Sequence, residues 1–177
     1  MIGNISSNGW KTGYSEAVKK SVYIESSVIS YLTARVSRDL VSAARQQLTQ
    51  EWWKKDRQDF ELFVSRSVLK EISGGDAEAA ERRLVAIKGV SLLEMTEEVF
   101  SLADALMKAG ALPEKACEDA VHIAVAAVCE IDFLLTWNCR HIDNAATKPI
   151  IRSVCAEQGY ACPEICTPEE LRGESHG

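Results

Sequence analysis

The sequence has no long apolar run. Its longest unbroken stretch, Ile123 to Cys129, is seven residues, far short of the ~20 that a helix needs to cross a bilayer. No membrane span is expected. The first twenty residues place Gly3, Gly9 and Gly13 among Ser and Asn and hold no apolar block of the secretory type. A cytoplasmic protein is therefore expected. The six cysteines (117, 129, 139, 155, 162 and 166) form no C-x-x-C pair, and Cys162-x-x-x-Cys166 has no second pair or His nearby to close a zinc site. In a reducing compartment they are expected to be free thiols. Cys117 and Cys129 fall in an apolar helical run, where a thiol packs as a small hydrophobe. There is no Gly-rich phosphate loop, no nucleophile elbow and no H-E-x-x-H. A positive balance is missing too: the net charge of −6 argues against a protein that holds nucleic acid in a broad basic field. It leaves room for an enzyme with a local acidic metal site and a basic rim.

What is present fits a single globular unit. A chain of 177 residues, 46% apolar, suffices for one domain with its own core. Residues 1–20 read as a loose leader, 21–171 as the domain and 172–177 as a polar tail. Ser21–Ile24 is a short β-rich run, followed by Ser26 and Ser27 as cap candidates for a helix over Val28–Leu32. Arg38–Arg57 has helical spacing, and its Trp52-Trp53 pair is expected to pack rather than to bind bases, leaving Lys54 and Lys55 solvated. Leu62–Val64 is a second strand, then a helix carries Glu71 and stops at Gly74-Gly75. Asp76 caps a helix over Ala77–Lys88, Val90–Leu93 is a third strand, and Thr96 caps Glu97–Ala109. Lys115–Glu130 turns almost wholly apolar after His122 and is expected to be buried. Phe133–Thr136 is a fourth strand, apolar enough to be internal and parallel. A helix over Asn144–Gln158, a strand over Glu164–Cys166 and a one-turn helix from Thr167 complete the chain.

Strands alternating with helices predict an α/β fold, a mostly parallel sheet covered on both faces. Ligands of such folds gather at the carboxyl ends of the strands. Glu25 follows the first strand, Glu71 lies in the helix after the second, and Asn138 follows the fourth. Asp119 opens the helix that feeds the fourth strand. Residues from four distant segments thus converge on one edge. Clustered carboxylates suit a hard divalent cation, which takes oxygen ligands and leaves positions for water and phosphate.

Each residue taken alone has a second reading. Glu25 also suits a cap of the following helix, and Asp119 suits a helix N-terminus. Glu71 reads by itself as a solvated helix residue. His122, three residues from Asp119 on the same face, is read as packed and hydrogen-bonded behind the site. Asn138 offers an amide to metal or phosphate, or simply builds a turn. Arg140 can take phosphate bidentately.

The ordered set Tyr23-Ile-Glu-Ser-Ser-Val-Ile-Ser-Tyr-Leu32, Val68-Leu-Lys-Glu71, Glu118-Asp-Ala-Val-His-Ile-Ala124 and Leu134-Leu-Thr-Trp-Asn-Cys-Arg-His141 resembles the PIN-domain family, and within it the VapC-type toxins of bacterial toxin–antitoxin systems. The likeness runs from about residue 21 to about residue 171 and rests on the order of the four segments rather than on any one of them. It implies a three-layer α/β/α sandwich and a metal-dependent ribonuclease. Mg²⁺ or Mn²⁺ would be held by Glu25, Glu71 and Asp119, with Asn138 completing the catalytic set. Ser26, Asn138, Arg140 and His141 would meet the substrate. RNA, a cognate antitoxin and a second copy of the chain are the implied partners. Two departures stand out. Glu25 occupies a position where the family usually has Asp, which lengthens the reach by one methylene. Asn138 replaces a frequent Asp, which weakens a second metal position; Asp143 is a distant stand-in. A catalytically weak or inactive module on the same fold, binding RNA or protein, is the alternative.

Overall fold

The computed structural model describes residues 18–172. The expected leader therefore lies outside the described residues up to position 17, as does most of the expected tail. Lys20, assigned to the leader from sequence, instead opens the first strand.

Among the described residues five strands form one parallel sheet: β1 (Lys20–Ile24), β2 (Phe60–Ser65), β3 (Ser91–Leu93), β4 (Phe133–Leu135) and β5 (Glu164–Cys166), in the order β3-β2-β1-β4-β5. The central strand β1 carries a block of three fully buried residues, Val22, Tyr23 and Ile24. Burying each such side chain contributes roughly 1.5–3 kcal/mol. Val22 lies opposite Leu62 on one side and Phe133 on the other, so β1 is clamped between two apolar neighbours.

The helices are α1 (Ser26–Thr33), α2 (Leu40–Lys55), α3 (Arg66–Ile72), α4 (Ala77–Ala86), α5 (Glu97–Lys108), α6 (Cys117–Val128) and α7 (Lys148–Glu157), with one 3₁₀ turn at Arg57–Asp59. They complete a three-layer α/β/α sandwich: α1 packs on α2, α3 and α4, while α5 packs on α6 and α7. The apolar half of α6 is buried as expected, from Ala120 and His122 through Ala127. Trp52 is fully buried, stacked on Phe60, while Lys54 and Lys55 face solvent. No described helix is long and apolar enough to cross a membrane.

The differences from the expected elements have local causes. The last helix starts at Lys148, not Asn144: Pro149 lacks an N–H and is tolerated only in a first turn. Residues 144–147 form a turn instead, in which Asn144 accepts from the N–H of Ala146. Thr96 precedes α5 but makes no capping hydrogen bond through its side chain. Thr167 begins a turn, not a helix, closed by Glu170 accepting from the Thr167 N–H and hydroxyl. All six cysteines are free, but Cys117 sits at the exposed start of α6 rather than in its apolar part.

Candidate functional site

Chain order places a topological switch between β1 and β4. From β1 the chain moves outward to β2 and β3, then returns to the other side of β1 as β4. A crevice opens at the carboxyl end of such a switch. There the backbone N–H of Glu25 donates to Leu135 O at 3.0 Å, so the residues leaving β1 and β4 lie side by side.

Glu25 is only 4% exposed and caps α1 itself. Ser26 and Ser27, expected to be the caps, serve it instead. One carboxylate oxygen accepts from Ser26 Oγ at 2.7 Å and the Ser27 N–H at 3.0 Å. The other accepts from Ser27 Oγ and from Thr136 Oγ1, the latter at 2.7 Å. Both oxygens are thus supplied with donors, which is what allows a carboxylate to be buried.

Glu71 reaches the same place from the last turn of α3. Both its oxygens lie 3.2 Å from His122 Nε2. The Ser26 hydroxyl, which donates to Glu25, helps hold the Glu71 carboxyl down as well. Burial pushes Glu71 up, but the hydrogen bond and charge of His122 outweigh it and hold its carboxyl below the usual range. His122 shows the reciprocal balance. Burial pulls its imidazole down, yet the Glu71 hydrogen bond and the charges of Glu25, Glu71 and Asp119 leave it above its ordinary value.

Behind His122 the network continues. Its Nδ1 lies 2.7 Å from the Tyr23 hydroxyl, which lies 2.7 Å from Ser65 Oγ. Ser65 in turn caps α3 by accepting from the Val68 N–H at 3.4 Å. Burial raises the Tyr23 phenol far above its ordinary value, so it stays a neutral hydroxyl. The four side chains therefore close a ring through β1, β2, α3 and α6.

Asp119 and Asn138 form a second group beside the first. Asn138 Nδ2 donates to one oxygen of Asp119 at 3.0 Å, and His141 Nδ1 lies 2.7 Å from the other. Asn138 Oδ1 accepts from the His141 N–H at 3.1 Å. Thr136 Oγ1 joins the groups, donating to Glu25 and accepting from the Asn138 N–H at 2.9 Å. Arg140 is exposed on the same loop. Asp143 is ion-paired with Lys148, which removes it as a stand-in carboxylate.

The structure thus divides the sequence-derived site. Among the described residues, Glu25, Glu71 and His122 bring ligand atoms within 4.8 Å of one another. Asp119 instead holds Asn138 and His141, while its charge still reaches His122. His122 was placed behind the site from sequence. It keeps the two hydrogen bonds of a packed histidine, yet its Nε2 stands among the candidate ligand atoms. Its spacing from Asp119 was the available signal. Ser27, Thr136, Tyr23 and Ser65 were missed as site residues. Each is a polar side chain at or near the end of an apolar strand, and that was their signal.

The donor set suits a hard divalent cation: two carboxylates from separate elements offer oxygen ligands, and a third lies adjacent. No family model and no curated protein matches this chain.

Proposed function

We propose that this chain is a divalent-metal-dependent endoribonuclease of the PIN type, the toxin of a toxin–antitoxin pair. The observation that carries the reading is the buried Glu25 carboxylate, set at the switch of a parallel sheet within 4.8 Å of Glu71 and His122 donor atoms. The ordered likeness of the four sequence segments to PIN domains supports it. Glu25 and Glu71 would hold Mg²⁺ or Mn²⁺, with Asp119 closing the acidic face. When bound, such a cation shields the charge on the phosphodiester and activates water for in-line attack. The chain's own residues do the rest. Ser26, Ser27 and Thr136 fix the Glu25 carboxylate, and His122 fixes Glu71. Asp119 orients the Asn138 amide and the His141 ring, and Arg140 offers a guanidinium to phosphate from the same loop. The exposed apolar residues Val36, Leu40 and Val41 are the kind of surface an antitoxin or a second copy of the chain covers.

One observation favours a second reading, a binding module without catalysis. The oxygens of Glu25 and Asp119 already have partners inside the chain, so their burial needs no ion. Calorimetric titration with Mn²⁺ separates the two readings, because a binding module gives no metal isotherm. For the nuclease, single-stranded RNA is cut with Mg²⁺ or Mn²⁺ and spared with EDTA. Glu25→Gln and Asp119→Asn lower cleavage by roughly 100-fold or more while the fold is retained. Cleavage that survives EDTA, or full activity in Asp119→Asn, refutes the mechanism.

A further inference from the structure

Arg45 on α2 is distinguished among the described arginines by lying over two aromatic rings. Arg35, Arg82, Arg152 and Arg172 each reach a carboxylate. Among the described residues Arg45 has no carboxylate at ion-pair distance. Its Cζ instead lies over two rings, 5.8 Å from the centroid of Tyr31 and 5.3 Å from that of Trp137. Its hydrogen bonds are long: Nη1 to the Tyr31 hydroxyl at 3.4 Å and Nη2 to Cys139 Sγ at 3.9 Å. Most of its donor capacity is therefore unspent.

The two rings are anchored to the candidate site. Tyr31 lies on α1, the helix capped by Glu25. The Trp137 N–H donates to Ser27 Oγ at 2.9 Å, and its indole N–H donates to Thr49 Oγ1 at 2.7 Å, which fixes the ring from both ends. Trp137 follows Thr136, a donor to Glu25, and Cys139 follows Asn138, a donor to Asp119. The guanidinium thus rests on residues that adjoin, along the chain, the donors to both acidic groups, and no carboxylate of either group lies at ion-pair distance from it.

We propose that Arg45 forms a phosphate-binding subsite for single-stranded RNA and takes a backbone phosphate next to the one that is cut; this rests on the nuclease reading above. A guanidinium over an aromatic face keeps its N–H edge free, and that edge matches two phosphate oxygens. The rings are covered by the cation, so the subsite reads backbone charge rather than bases. An unpaired cation at the rim also offsets the repulsion that the acidic cluster exerts on an incoming phosphodiester.

The test measures Mn²⁺-dependent cleavage of a short single-stranded RNA across a range of NaCl, for the wild-type chain, Arg45→Gln and Arg45→Lys. Arg45→Gln is expected to raise KM about tenfold with kcat changed less than about twofold. It also lowers the slope of log(kcat/KM) against log[NaCl] by about 0.7, the value for one phosphate on a single strand. Arg45→Lys keeps the slope but raises KM, because a point charge replaces the fork. A cutting wild type whose KM and slope survive Arg45→Gln overturns the subsite and leaves the nuclease reading intact. A fall in kcat alone overturns it as well. Should Arg45→Gln fail to fold, Arg45→Lys decides: raised KM at an unchanged slope supports the subsite, and a wild-type KM overturns it. If the wild type cuts no RNA, the nuclease reading falls and takes this proposal with it.

Discussion

Replacing Tyr23 with Phe removes a single oxygen from the fully buried centre of the sheet. That oxygen joins Ser65 to His122, at 2.7 Å from each. The phenol is the hydrogen-bond partner of Ser65 Oγ on one side and of His122 Nδ1 on the other, while Ser65 also accepts from the Val68 N–H and His122 Nε2 meets Glu71. Without the phenol, Ser65 keeps the Val68 N–H but loses its second partner. His122 Nδ1 is left buried with no partner. Leaving one buried polar atom unsatisfied costs about 1–3 kcal/mol. At about 2 kcal/mol the midpoint of thermal unfolding falls by roughly 4–8 °C for a chain of this size. The ring also predicts that the damage is shared. Ser65→Ala breaks the same chain of donors, so the double variant with Tyr23→Phe is less destabilised than the sum of the two, by about 1 kcal/mol. Calorimetry on the three variants gives the cycle. A strictly additive cycle, or a Tyr23→Phe midpoint within about 1 °C of wild type, refutes the ring as a cooperative unit.

Asp132 ties the start of β4 to the start of β1: it accepts from Lys20 Nζ at 2.7 Å and from the N–H and hydroxyl of Ser21 at 2.9 Å each. Burial pushes its carboxyl up, but these donors outweigh burial and hold it below the ordinary value. The contribution is therefore present above that value and is lost as pH falls through the folded-state value. Asp132→Asn should cost about 1 kcal/mol at pH 7, discounted for its partial exposure, and the gap to wild type should narrow in acid unfolding curves as the pH falls below the ordinary carboxylate range; a gap that does not narrow there contradicts the assignment. Glu130 ends α6 with φ of 54°, a left-handed backbone that a side chain disfavours. Glu130→Gly relieves that strain but adds freedom to the unfolded chain, for a net gain of up to about 1 kcal/mol and a midpoint rise of roughly 2–4 °C; a fall on substitution would show that the side chain matters more than the backbone.

The architecture was legible because it rests on short-range pattern. Apolar runs such as Tyr23-Ile24 and Leu134-Leu135 are bounded by polar residues, and the helices between them carry their own stops. That pattern fixes strand number and parallel direction, and with them the edge where Glu25, Glu71, Asp119 and Asn138 gather. What sequence could not show is which of these side chains face each other. Asp119 and His122 share a helix face, yet one turns to the Asn138 loop and the other to Glu71. That choice depends on the relative placement of α3, α6 and the loop after β4, which is set by packing across more than fifty residues of intervening chain. Helix boundaries shifted for a simpler reason. The periodicity over 144–158 is helical throughout, but Pro149 limits where the hydrogen-bonded turns can begin.

The extra methylene of Glu25 has a use that spacing alone did not suggest. A longer side chain at the end of β1 is expected to lengthen the reach toward a bound ion by one methylene. Instead the side chain folds back over its own helix, so that one oxygen meets the Ser27 N–H and the other meets Thr136 on the neighbouring strand. An Asp at this position caps a helix readily, but its shorter stem must choose between the cap and the strand. With Glu the same carboxylate does both, joining the N-terminus of α1 to the residue that follows β4. The consequence is a trade in ligand capacity. The carboxylate is rigid and correctly buried, yet an incoming cation must compete with the hydroxyls of Ser26, Ser27 and Thr136 for its lone pairs. Removing one competitor should therefore tighten metal binding even as it loosens the fold. That expectation, read by Mn²⁺ calorimetry on Thr136→Val, runs opposite to the effect of losing a ligand. A weaker isotherm would mean that Thr136 positions the carboxylate for the ion rather than competing with it.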